Sequence, residues 1–256
     1  VLRTVAELIY GVQTSATVTK AIGWLADRRH WSTKRLMDYF RDLVDPLIGM
    51  EKSPVTSLKL LWIERAYAFY PKAYFLHLTR HPVSTRKSMD EFFENRRSNI
   101  DGQNTLQTID SLLDWYRFHK NIMEFTKTLP VGQTMRVKGE DVLSDPDIYL
   151  PQIAEWLGIR TDKEAIEAMK HPEMSPYAYR GPEPARGGND PKFMRSPALR
   201  RGRLREPSLK EFFVREKLDW LSDRDKQICR EAGYILAPAE ELVDEITGLS
   251  LSLGYR

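Results

Sequence analysis

Residues 73–89, Ala-Tyr-Phe-Leu-His-Leu-Thr-Arg-His-Pro-Val-Ser-Thr-Arg-Lys-Ser-Met, read as a strand that turns at once into a helix. Ala73 to Leu78 is a short, mostly apolar run of the kind a buried parallel strand needs. Pro82 suits the first helical position, where its fixed φ helps and its missing N–H costs nothing. A helix starting there is expected to present unpaired N–H groups and the positive end of its dipole. Arg80 at the strand tip adds a planar cation suited to bidentate phosphate binding. The segment therefore describes an anion site, with Ser88 eight residues beyond the arginine.

This pattern resembles the nucleotide 3'-phosphate-binding motif of PAPS-dependent sulfotransferases, which place a strand-end Arg and a helix Ser at the same spacing. The resemblance implies that Arg80 and Ser88 hold the 3'-phosphate of PAPS, 3'-phosphoadenosine 5'-phosphosulfate. Read without it, Arg80 is a strand-end arginine paired with a carboxylate, and Ser88 is a surface serine.

Residues 135–159 are similar to the same family's strand, acidic turn, Asp-Pro and helix ending in Leu-Gly. Local chemistry draws that outline independently. Asp145 is a good N-cap, Pro146 fits the first helical position and Gly158 fits the residue past the last turn. Tyr149, Ile153, Trp156 and Leu157 are spaced to share one apolar face. Glu140 and Asp141 read as residues that fix the turn rather than as catalysts.

Glu51-Lys-Ser-Pro54 resembles the element that precedes the 3'-phosphate strand in bacterial and glycan-modifying sulfotransferases. There the resemblance gives Lys52 a catalytic role, stabilising charge near the transferring sulfonate. The plain alternative is a solvated lysine before a helix. Residues 184–193, Pro-Ala-Arg-Gly-Gly-Asn-Asp-Pro-Lys-Phe, resemble a late loop of sulfotransferase domains found inside polyketide synthases. On that resemblance Arg186 is a second 3'-phosphate ligand and Gly188 allows close backbone approach. A Gly/Pro loop without chemical meaning is the alternative.

The resemblance runs in order from Lys52 to Phe193 and fails at the front. Nothing before Glu51 looks like the Gly/Ser/Thr-rich phosphate loop with which such enzymes open. Leu2, Val5, Ile9 and Val12 instead form a helical stripe, and the chain starts at Val1 without Met. The expectation is a chain cut downstream of its phosphate loop, or a remnant that has lost it. No general base is assigned. His30 reads as a surface histidine, His77 and His119 as core or surface residues, and His81 as either a nucleotide contact or a turn residue.

Composition sets the remaining limits. Within 256 residues, 41% hydrophobic and 29% charged content are those of a globular chain, and a net charge of +3 argues little for nucleic acid. The basic run from Arg195 to Arg205 lacks the interleaved aromatics of a single-strand binder, and is either a solvated loop or an attractor of an anionic nucleotide or acidic carrier. A lone Cys229 allows no internal disulfide and suits a reducing compartment. No run approaches membrane-spanning length and no Cys/His spacing suits a metal.

The pattern along the chain predicts helices over Val1–Val44 with a break at Gly23 and a restart near Ser32 or Thr33, with Leu36, Phe40 and Leu43 as the core stripe. A helix over Ser57–Phe69, then strand, helix, long helix and strand to Val137, follow. The long helix carries Leu106, Ile109, Leu113 and Tyr116 on one face. A Pro/Gly/Arg-rich loop or lid spans His171–Pro207, and two C-terminal helices cover Ser208–Ala232 and Ala239–Leu249.

The expected fold class is α/β: a helix-rich parallel sheet flanked by helices, of the P-loop NTPase-like sulfotransferase type, without the N-terminal phosphate-loop strand. One sulfotransferase-like domain is expected over 1–256, with a helical segment (1–50), a nucleotide-binding core (51–170), a loop or lid (171–207) and C-terminal helices (208–256). The resemblance implies a bacterial-type, metal-free cytoplasmic enzyme that uses PAPS and releases PAP. Its acceptor is a hydroxyl on a small molecule or a carrier-tethered acyl chain, with no nucleic-acid partner and scope for a homo-oligomer. Two rivals stand beside it: a scaffold protein on the same fold that has lost catalysis, and a nucleotide kinase-like transferase.

Overall fold

The computed structural model describes residues 1–97, 111–186, 190–201 and 239–255, with isolated positions 223 and 227. The chain divides into two compact units, one of Val1–Lys52 and Pro146–Arg201, the other of Ser53–Asp145 and Gly202–Arg256.

The first unit opens with three helices, α1 (Leu2–Tyr10), α2 (Ser15–Asp27) and α3 (Thr33–Val44). The predicted break falls elsewhere than expected: Gly23 lies inside α2, and the chain turns at Gly11, whose φ of 75° a side-chain-bearing residue rarely adopts. Thr14 then starts α2 with a reciprocal capping box to Thr17. An interior glycine costs a helix only about 1 kcal/mol, so Gly23 does not stop it. The restart falls where predicted, with Ser32 accepting from the Arg35 N–H. Val5, Ala21, Trp24 and Phe40 form the buried core. Two expected core residues are exposed: Val12, which lies past the end of α1, and Leu43, in the last turn of α3.

The later part of this unit holds α8 (Pro146–Trp156), α9 (Lys163–Met169) and the short α10 (Pro191–Arg195). Pro146 takes the first position of α8 and Gly158 follows it at φ 67°, as the sequence predicts. Ile153 is buried on the expected face together with Leu150 and Ala154.

The second unit contains α4 (Leu60–Phe69), β1 (Phe75–Thr79), α5 (Pro82–Arg97), α6 (Ser111–Thr126), β2 (Thr134–Lys138) and α7 (Gly139–Ser144). It ends with α11 (Ala239–Ser252). A 3-10 turn over Pro54–Leu58 precedes α4, so regular helix begins three residues later than the sequence suggests. The strands pair in parallel, Phe75 opposite Thr134 through Thr79 opposite Lys138, and the helical crossover between them is what parallel pairing requires.

Strand β1 is buried on one face only. His77 and Thr79 are buried, whereas Leu76 is 42% and Leu78 59% exposed, which corrects the expectation of a strand covered on both sides. Phe75 packs edge-on against Phe125 of α6, with centroids 4.9 Å apart, and Tyr67 of α4 completes the cluster. Helix α11 lies against α6, bringing Leu242, Ile246 and Leu253 onto Leu112, Leu113 and Tyr116. Fully burying residues such as Leu112 and Ile246 contributes about 1.5–3 kcal/mol each. Leu106, Ile109, Cys229 and, apart from Asp223 and Gln227, the segment Ser208–Ala232 lie outside the described residues.

Candidate functional site

The site grows from the two residues between β1 and α5. Thr79 ends the strand and Pro82 begins the helix, so Arg80 and His81 make the whole turn. Its backbone is held from both sides. The Trp115 indole of α6 donates to the Arg80 carbonyl at 2.8 Å. One residue on, the His81 N–H donates to Glu140 Oε1 at 2.9 Å. The Arg80 side chain itself is exposed and pairs with no carboxylate among the described residues.

The helix end is less open than the sequence suggests. Pro82 has no N–H, and the Val83 N–H donates to His81 Nδ1 at 3.2 Å. Glu140 and the His81 imidazole therefore take donors expected to face a ligand, and Arg80 is the exposed cation of this turn. His81 is fully buried, which makes it a turn residue. Glu140 is buried as well and does fix a turn, although the turn it fixes belongs to the neighbouring strand.

A second ring of contacts stands behind Glu140. Its Oε2 accepts from the Tyr255 hydroxyl at 3.2 Å, and that hydroxyl shares a 2.7 Å hydrogen bond with Thr79 Oγ1. Tyr255 is wholly buried and packs edge-on against His81, with centroids 5.3 Å apart. Lys138 lies 4.7 Å over the Tyr255 ring and donates to the Gly254 carbonyl at 2.6 Å. None of Trp115, Glu140 and Tyr255 emerges from the sequence as a functional residue. The available signal was the pairing of a buried-type aromatic with a carboxylate at a strand end, which is visible only after the strands are paired.

The remaining predicted residues are distributed as follows. Ser88 is half-buried in the second turn of α5, in the same unit as Arg80. Lys52 is exposed at the end of the first segment of the other unit. Arg186 belongs to that other unit too, where it is exposed and paired with Glu183. Gly188 lies outside the described residues.

His77 and His119 are both buried, and His77 Nε2 meets His119 Nδ1 at 2.7 Å. Burial, then the neighbouring His119 and Arg136, bring His77 down to about 3. Burial and Arg136 bring His119 down to about 4. Both rings are neutral at pH 7, and both belong to the core, one of the two places the sequence allows them. Among the described residues no cluster of His, Cys, Asp and Glu could hold a metal, and no helix is long and apolar enough to cross a membrane.

Residues 5–163 match the sequence profile of the Sulfotransferase family, well over half of the chain. The protein belongs to the sulfotransferase family. Among solved structures it is similar to the sulfotransferase domain from the curacin biosynthetic pathway, at 18% identity and a TM-score of 0.61, covering 92% of this chain and 79% of that one. It is also similar to the sulfotransferase domain of the Synechococcus PCC 7002 olefin synthase, at 20% identity and a TM-score of 0.57, covering 92% and 75%. These likenesses bear out the helix-rich α/β sulfotransferase fold. No curated protein sequence gives a significant match.

Proposed function

We propose that this chain is a PAPS-dependent sulfotransferase domain of bacterial type, a single domain whose acceptor is a hydroxyl on a small molecule or on a carrier-tethered acyl chain. The observation that carries the reading is Arg80: an exposed guanidinium with no carboxylate partner among the described residues, on a backbone fixed by Trp115 and Glu140. A planar cation held this way suits a phosphate monoester, which accepts two parallel N–H donors.

PAPS supplies a sulfonate activated by attachment to a phosphate leaving group. Arg80 and Ser88 would hold its 3'-phosphate; the family resemblance implies the same role for Arg186 and Gly188, and for Lys52 that of steadying charge near the sulfonate. A carrier-tethered acceptor draws support from the two similar domains, which come from a biosynthetic pathway and from an olefin synthase.

Calorimetric titration of PAP into the full chain and into Arg80→Ala, with AMP as the ligand lacking the 3'-phosphate, tests the reading. Binding of PAP well above AMP, lost in the variant, is the expected result. Equal binding of the two nucleotides, or binding of neither, would remove it.

A further inference from the structure

The family and the motif say nothing about the last residues of the chain, yet these converge on the Arg80 turn. Tyr255 is held by its own backbone, its N–H donating to the Ser250 carbonyl at 2.9 Å. Gly254 precedes it at φ 87°, and a side chain there would meet Lys138 Cε at 3.0 Å. The tail is therefore seated against β2, with Lys138 closing over it. This seating delivers one hydroxyl into a fully enclosed spot between Thr79 Oγ1 and Glu140 Oε2.

We infer that Tyr255 is a positioning residue for the anion site, acting through Glu140 and Thr79 on the turn that carries Arg80; this rests on the reading of Arg80 as the 3'-phosphate ligand. Thr79 is the residue immediately before Arg80, and Glu140 grips the N–H immediately after it. The Tyr255 hydroxyl is thus common to the two attachments that flank the arginine. Glu140 is buried and receives one N–H from His81 and one O–H from Tyr255. Removing that O–H leaves a buried carboxylate oxygen short of a donor, which is costly unless the carboxylate moves. Movement of Glu140 releases the His81 N–H and with it the angle at which Arg80 leaves the strand. A guanidinium displaced by even a fraction of an ångström loses the paired geometry on which phosphate binding depends.

The test is PAP and AMP affinity measured on the wild-type chain, Tyr255→Phe, Glu140→Gln and the double variant, with thermal midpoints recorded alongside. Wild type first establishes the preference for PAP; its absence would remove the 3'-phosphate reading and this inference together. Given that preference, Tyr255→Phe is expected to lose about tenfold in PAP affinity while AMP affinity changes less than twofold. A tail that merely adds stability would lower the midpoint and leave the PAP/AMP ratio unchanged. In the double variant the uncharged amide tolerates the missing hydroxyl better, so part of the ratio is expected to return. A ratio in Tyr255→Phe equal to that of wild type, or a double variant that loses the two effects additively, would overturn the proposal.

Discussion

The indole of Trp115 and the carbonyl of Arg80 are joined by a 2.8 Å hydrogen bond that ties α6 to the turn after β1. Trp115 is almost wholly buried, and its ring also packs 4.6 Å from His119. One side chain therefore serves the core and the candidate site together. Trp115→Phe keeps an aromatic ring but removes the donor and leaves a space. It is expected to lower the unfolding free energy by about 2 kcal/mol. Urea denaturation measures this directly, and an unchanged midpoint would show that the indole bond contributes nothing.

The His77–His119 pair sets an acid limit. Both folded-state values lie below the usual 6.5, so the unfolded chain takes up protons first. The pair's contribution is fully present above pH 6.5 and is lost progressively as the pH falls from there towards 4 and 3. Each histidine accounts for a decline of about 1.4 kcal/mol per pH unit in that window. Thermal midpoints recorded from pH 7.5 to 5 should fall, and His119→Gln should flatten the profile. An identical slope in wild type and variant would separate the pair from the acid sensitivity.

Gly181 is the tightest glycine described in the Val1–Lys52 and Pro146–Arg201 unit. A Cβ there would stand 2.1 Å from the Ala185 carbonyl oxygen and 2.8 Å from Cδ of Arg3. The arginine can shift, but the backbone oxygen cannot do so without moving the loop that carries Arg186. Gly181→Ala is expected to destabilise the protein by about 2 kcal/mol. A stability equal to wild type in chemical denaturation would mean that the loop relaxes freely.

Lys52 and Ser88 should divide between turnover and binding. With PAPS and a hydroxyl acceptor, Lys52→Ala is expected to lower kcat about 100-fold and leave PAP affinity nearly unchanged. Ser88→Ala should weaken PAP several-fold through one lost phosphate contact, with kcat at saturation close to wild type. A Lys52→Ala variant of full activity would return that residue to the role of a solvated lysine.

Much of the local architecture could be read in the chain. Pro82 begins α5, Ser32 caps α3 and Gly158 follows α8 because each depends on the chemistry of a few adjacent residues. The eight-residue spacing of Arg80 and Ser88 is local in the same way. Gly11 and Gly23 show the limit, since both permit a break, and the chain turns at Gly11 and runs through Gly23 as helix. Leu76 and Leu78 show another, because an apolar run reports that a strand is sticky but not how many of its faces are covered.

By itself the sequence determined the strand–turn–helix, its arginine and the family's ordered motifs, all of which rest on short-range propensity and spacing. Tertiary structure alone decided what holds that arginine. Tyr255 meets Thr79 across 176 residues and Glu140 across 115, and Trp115 reaches Arg80 across 35. Such contacts arise only once β1 and β2 pair in parallel and α6 and α11 pack together. Periodicity shows which face of an element is apolar, whereas the identity of the partner on that face comes from the packing.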